Sequence, residues 1–314
     1  MTDPRQPFSR ERLVEARRAS RVLADDWRGG EAYRALVARF DALADDDAEA
    51  VAQSAAVLLR DTGWVVDLLR PMIAAVRGDH AVEPPLRIVR DRLRIGAILL
   101  DHPAVSISAS VVSATASAAQ PPATSVVATG RLAVVRYHRA GGACWQGWDA
   151  GLVAATFTAA EAPPLRRLAD RPLVDGEVVR HDGRVSAGML AGARDDVVVL
   201  TALMRGGAAP LMREYALPRG ELIRVAALGD VPSRTHMLLT LLRLSGRADA
   251  APLFEAATRS DAFHLRWSAM REWLALDMVA ALPRLAQMAA ADPHPEVRAA
   301  ARATLLMTRE RRAA

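Results

Sequence analysis

The sequence predicts an α+β chain built of three units. These are an N-terminal helical unit (residues 1–82), a central antiparallel β-sandwich of jelly-roll type (83–231) and a C-terminal set of helical repeats (232–314). Three observations predict it. Apolar residues recur at helical spacing before Val82, short apolar runs alternate with turn signals between Arg92 and Leu228, and helical spacing returns after Pro232 together with an internal repeat. A length of 314 residues with 51% hydrophobic and 25% charged residues is enough chain for two or three cores.

The first unit reads as four helices. Ser9 opens one that Arg28-Gly29-Gly30 closes, and Tyr33, Leu36, Val37 and Phe40 form the apolar stripe of the second. Asp45-Asp46-Asp47 precedes the third, marked by Val51, Ala55, Leu58 and Leu59, where carboxylates can cap free amides and oppose the helix dipole. The fourth runs from Trp64 to Val76 with Pro71 as an expected kink.

The texture changes at Val82-Glu83-Pro84-Pro85. Val105, Ile107, Ala109 and Val111 alternate with Ser106, Ser108 and Ser110, which is the period of two that a strand requires. Turn signals such as Asp175-Gly176, Asp182-Gly183 and Gly206-Gly207 separate Val178-Val179, Val185–Leu190, Val197–Leu203, Leu211–Leu217 and Leu222–Val225, all suited to hairpin-linked strands. Ala116–Thr124 and Ala159–Pro164 read as loops.

Past Pro232, Asp261–Leu274 aligns without gaps on Asp292–Leu305 at an offset of 31 residues, after a leading helix at Arg234–Leu244. The second copy carries A-L-P-R-L-A-Q-M-A and then D-P-H-P-E-V-R-A-A-A-R-A-T-L, and it resembles the HEAT-repeat family over about Asp249–Met307. That resemblance implies an α-solenoid and a docking surface. Arg266, Trp267, Arg271, Arg298 and Arg302 fall on the second helices and are the candidate partner-binding residues. The competing expectation is an internal ladder in which Arg298 pairs with Asp261 or Asp292. Arg309, Arg311 and Arg312 charge the far end.

The stretch Gly130–Trp148, G-R-L-A-V-V-R-Y-H-R-A-G-G-A-C-W-Q-G-W, resembles the cupin family in texture. That family holds a metal through an H-x-H pair, a Glu and a distant His. Here Arg136 stands where the first His would be, no Glu follows at the required spacing, and arginine cannot be a ligand. No metal is therefore expected, and His138 and Cys144 read as ordinary strand residues, with convergence of His138, Cys144 and His181 as the alternative. Arg136, His138, Trp145 and Trp148 are the candidate ligand pocket, because two Trp residues on a Gly-rich segment can stack on a flat ligand or close the core.

Composition excludes several chemistries. All 41 basic residues are Arg, so neither a Schiff-base lysine nor a P-loop lysine is available. One cysteine, Cys144, allows no internal disulfide and no cysteine-cluster zinc site. A G-x-S-x-G elbow, dinucleotide fingerprints and H-E-x-x-H are absent. The polar opening residues and the absence of a long apolar run point to a bacterial cytoplasm without a membrane partner, and the Arg bias to a GC-rich genome. A net charge of +5 is too mild to mark a nucleic-acid binder. The sequence therefore reads first as a non-enzymatic accessory protein that needs no cofactor and docks on a protein partner. A small-ligand or enzymatic cupin-like pocket is the alternative, and phosphate binding through the repeat arginines comes third. A homo-oligomer is left open.

Overall fold

The computed structural model describes residues 9–43, 47–153, 157–159 and 162–313, the side chains of 227, 230 and 309–313 excepted. Local sequence signals set the first helices. Ser9 accepts a hydrogen bond from the Arg12 amide and opens α1 (Arg10–Gly29). α2 (Glu31–Asp41) follows directly. Asp47 caps α3 (Ala48–Arg60) by accepting from the Ala50 amide at 2.9 Å, while Asp45 and Asp46 lie outside the described residues. Pro71 sits inside α4 (Gly63–Gly78), which continues past it.

The chain divides into two compact units, each discontinuous in sequence. The first comprises Met1–Ala123, Arg131–Gly147 and Leu168–Ala208. Its main sheet has the order β1 (Arg87–Arg90), β2 (Arg94–Asp101), β3 (Val105–Val112), β11 (Val197–Met204), β5 (Leu132–Arg139) and β9 (Val178–Asp182), antiparallel throughout. The apolar half of the β3 alternation, Val105 and Ile107, joins Leu132, Val134, Leu200 and Met204 in one core with Phe40, Leu59, Leu68 and Met72 of the helices. The N-terminal helices therefore share a core with the sheet. α5 (Ala114–Ala118), capped by Ser113, occupies the start of the stretch read as loop from Ala116 to Thr124, because a serine followed by small residues suits one short helical turn. β6 (Cys144–Asp149), β8 (Arg171–Pro172) and β10 (Ser186–Ala191) form a second, smaller sheet, with β7 (Arg166–Arg167) pairing the last two residues of β6.

The second unit takes Thr124–Gly130, Trp148–Arg167 and Ala209–Ala314. It holds a three-stranded antiparallel sheet of β4 (Ser125–Ala128), β12 (Leu211–Ala216) and β13 (Leu222–Ala227). Helices α6 (Asp230–Leu244), α7 (Ala251–Ala257), α8 (Phe263–Leu276), α9 (Met278–Ala291) and α10 (Pro295–Ala313) follow. Phe254, Met270, Trp273, Leu285, Met288 and Val297 form their core. Arginines close the helix ends. Arg284 donates from Nη2 to the Thr258 carbonyl after α7 at 2.9 Å, Arg302 from Nε to the Ala289 carbonyl of α9 at 2.8 Å, and Arg298 to the Asp292 carbonyl.

Candidate functional site

The candidate site lies on the second face of the six-stranded sheet. Residues directly opposite in antiparallel strands share a face, so the register defines rows running across it. One row is Tyr137, Val199, Ser110 and Gly96, and the next is Val179, Val135, Thr201, Ser108 and Ile98. The third is His181, Ala133, Leu203, Ser106 and Asp101. This face carries the polar half of the β3 alternation. Ser106, Ser108, Ser110 and Thr201 are half-buried, and their hydroxyls make no hydrogen bond among the described residues. Gly96 is required beneath Ser110, because a Cβ there would come within 2.3 Å of the serine Oγ.

At the β5–β9 edge the face becomes aromatic. A 2.9 Å hydrogen bond joins Tyr137 Oη to His181 Nε2, and the Trp145 ring lies 4.1 Å from the imidazole between centroids. Gly188 of β10 lies directly against that indole, since a Cβ there would fall 2.2 Å from Trp145 Cζ2. Arg171 is the register partner of Trp145 and donates from Nη1 to Glu177 at 2.7 Å, while its Nη2 is buried without a hydrogen-bond partner. Burial drives the His181 pKa down to about 4, and the Arg171 guanidinium adds to the effect. Burial also raises the pKa of the Tyr137 hydroxyl. At neutral pH the imidazole is uncharged and the phenol keeps its proton.

The residues expected in a pocket are dispersed. Trp145 is in the cluster. Arg136 points to the opposite face, where its Nη1 donates to the Leu59 and Arg60 carbonyls at the end of α3, at 3.0 and 2.8 Å. His138 is exposed, opposite the register shift at Val198/Val199, where β5 carries one residue too many. Trp148 lies an odd number of residues from Trp145 on the same strand, so the two rings project from opposite faces. They cannot form one stacking platform. Trp148 is buried in the second unit beneath the Arg167 guanidinium, 4.4 Å from the ring centroid. Cys144, adjacent to Trp145, faces away from His181 as well. Arg136 occupies the ligand position of the cupin-like pattern and faces the helices, and no group of three His, Cys, Asp or Glu suited to a metal exists among the described residues.

The candidate partner residues are also divided. Arg266 is buried, donating from Nε and Nη2 to Asp292 at 2.9 and 2.7 Å and from Nη1 to the Ser260 and Asp261 carbonyls. Burial alone would raise the Asp292 pKa, yet Arg266 and the His294 amide hold it below the usual carboxylate range. Arg266, rather than Arg298, is thus the side chain that pairs with Asp292. Arg266 and Arg298 correspond, each serving the carbonyls of the turn before its helix, and Ala269 and Ala301 are both fully buried. These matching positions of α8 and α10 lie 32 residues apart, one more than the gapless alignment gives. Trp267 packs against the helical core, whereas Arg271 and Arg302 are exposed. Arg309, Arg311 and Arg312 lie outside the described side chains.

No sequence pattern points to Tyr137, Arg171, Glu177 or Gly188 as members of one site. The Ser106-Ser108-Ser110 alternation was the available signal, because three hydroxyls on one face of a strand whose other face is apolar mark a polar interior surface.

The chain matches no family model and no curated protein. Among solved structures it is similar to ectoine synthase from P. lautus, at 12% identity and a TM-score of 0.24, over 42% of this chain and 81% of that one. It is similar to a sugar phosphate isomerase of the cupin superfamily from Silicibacter pomeroyi, at 11% identity and a TM-score of 0.24, over 46% and 85%. The 7S globulin of Momordica charantia is similar at 11% identity and a TM-score of 0.27, over 43% and 36%. No candidate membrane-spanning helix occurs among the described residues.

Proposed function

We propose that the first unit is a metal-independent small-ligand-binding module whose site is the sheet face bearing Tyr137, Trp145, His181 and the hydroxyl rows. The observation that carries the reading is the combination of half-buried, unpartnered hydroxyls with an indole set against a glycine beside a neutral histidine. Half-buried hydroxyls that no protein group satisfies are left to water or to the polar groups of a ligand. Its side chains come from two sheets of the same compact unit.

A fragment screen by saturation-transfer NMR tests this. Fragments that bind the native chain should lose their signal in Gly188→Leu, where the added side chain displaces Trp145, while circular dichroism stays native. Hits that persist in Gly188→Leu and in Tyr137→Phe would place binding elsewhere and sink the reading.

A second reading, an accessory protein docking through a HEAT-like array, has one observation in its favour. α6 buries Leu239 and leaves Met237, Leu238, Leu241 and Leu244 exposed along one helical stripe. Charge substitution at Leu241, with size-exclusion and pull-down readouts, separates this surface from the ligand site.

A further inference from the structure

The charge balance of the site selects its ligand, on the reading that this face binds one. Arg171 and Glu177 form an ion pair at 2.7 Å, and neither Tyr137 nor His181 carries charge at neutral pH. The remaining polar groups on the three rows are hydroxyls, apart from Asp101, which sits at the β2 margin and is exposed. A charged ligand placed between Trp145 and the hydroxyl rows would leave water without gaining an uncompensated counter-charge, and such burial costs several-fold to many-fold in affinity.

We propose that this face binds a neutral polyhydroxylated molecule of about monosaccharide size, its apolar C–H face stacked on Trp145 and its hydroxyls bonded to Ser108, Ser110 and Thr201. Three features converge on this class. Hydroxyl side chains both donate and accept, so a row of them matches a ring of alcohols better than it matches a carboxylate, which only accepts. Trp145 offers a flat apolar surface with a polar edge, which suits a ligand that is apolar on one face and polar at its rim. Size is the third. Ser110 and Tyr137 are two strands apart in one row, roughly 10 Å at ordinary strand spacing. A hexose ring with its hydroxyls spans that distance. The unpartnered Nη2 of Arg171 supplies one further donor at the aromatic end without adding net charge.

The test uses three ring-shaped probes on the full chain: D-glucose (with D-mannose and D-galactose as neutral alternates), D-glucuronate and D-glucosamine. Saturation-transfer NMR and tryptophan fluorescence read binding. At least one neutral hexose should bind, with glucuronate and glucosamine at least about tenfold weaker. Thr201→Val, which removes a hydroxyl at constant shape, should weaken the sugar by about three- to tenfold, and Trp145→Ala by about tenfold or more. Binding of glucuronate or glucosamine as tightly as glucose overturns the neutral class while leaving the ligand site standing. Failure of every neutral hexose overturns it too, and the site itself then falls only if the fragment hits also persist in Gly188→Leu. Sugar binding unchanged in both Thr201→Val and Trp145→Ala places the sugar elsewhere and overturns the proposal. Should Trp145→Ala fail to fold, Thr201→Val with Ser108→Ala decides the matter.

Discussion

Replacing Asp292 by Asn isolates one buried charge. The Asp292 side chain is 1% exposed and that of Arg266 8%, and two hydrogen bonds of 2.9 and 2.7 Å join them. The amide keeps the shape and still accepts from the His294 amide, but it leaves the Arg266 guanidinium buried without a counter-charge. Breaking a buried pair from one side costs about 3–5 kcal/mol. At about 2–4 °C per kcal/mol for units of this size, the transition of the helical unit should fall by about 6–20 °C. Arg266→Met should cost a similar amount, since it strands the Asp292 carboxylate and leaves the Ser260 and Asp261 carbonyls without their donor. The double variant Arg266→Met/Asp292→Leu removes both charges and should recover most of the loss, because well-packed apolar residues often replace a buried pair at little cost. Urea and thermal unfolding followed by far-ultraviolet circular dichroism measure these variants and the single Asp292→Leu, and the cycle of Arg266→Met, Asp292→Leu and their double variant gives the coupling. A cost below about 1 kcal/mol for Asp292→Asn, or simple additivity in the double variant, would falsify the pair and return Arg266 to the list of residues free to meet a partner.

Three further outcomes follow from the same structure. His181 binds fewer protons in the folded chain than in the unfolded one between pH 6.5 and about 4, so its contribution to stability should fall as pH drops through that window, by about 3 kcal/mol, and stay flat above it; His181→Gln should make the profile shallower, leaving the share that burial of His264 contributes with the same sign, and parallel native and variant curves would refute the burial account. Arg302→Glu should cost about 1 kcal/mol by removing the donor to the Ala289 carbonyl and placing negative charge at the end of α9. Arg271→Glu should stay within about 0.5 kcal/mol, as measured by urea unfolding, and equal costs would show that the α9 cap is absent. Arg136→Met should lower stability by about 1–2 kcal/mol through loss of the α3 cap while leaving binding at the sheet face unchanged, and a binding defect without a stability defect would put Arg136 back in the site.

The local devices were legible in the chain. Ser9 and Asp47 cap the helices that follow them, the Val105–Val112 alternation is a strand, and the mixed α+β class stands. Each of these depends on interactions within about four residues or on a period carried by one segment, so neighbouring side chains alone decide it. The same period of two sets Trp145 and Trp148 on opposite faces of β6, against the single pocket expected for them. What the alternation cannot say is which face meets which layer. The helices cover Val105 and Ile107, and that leaves the serines on the face with Tyr137 and His181. The same holds for the arginines. Arg136 reaches a helix end 76 residues away in sequence, and Arg266 reaches an aspartate 26 residues away. In a chain whose basic residues are all arginine, composition gives every guanidinium the same appetite for carbonyls and carboxylates. Only tertiary packing, which decides the acceptors each one can reach without water, determines which arginines close the fold and which stay on the surface.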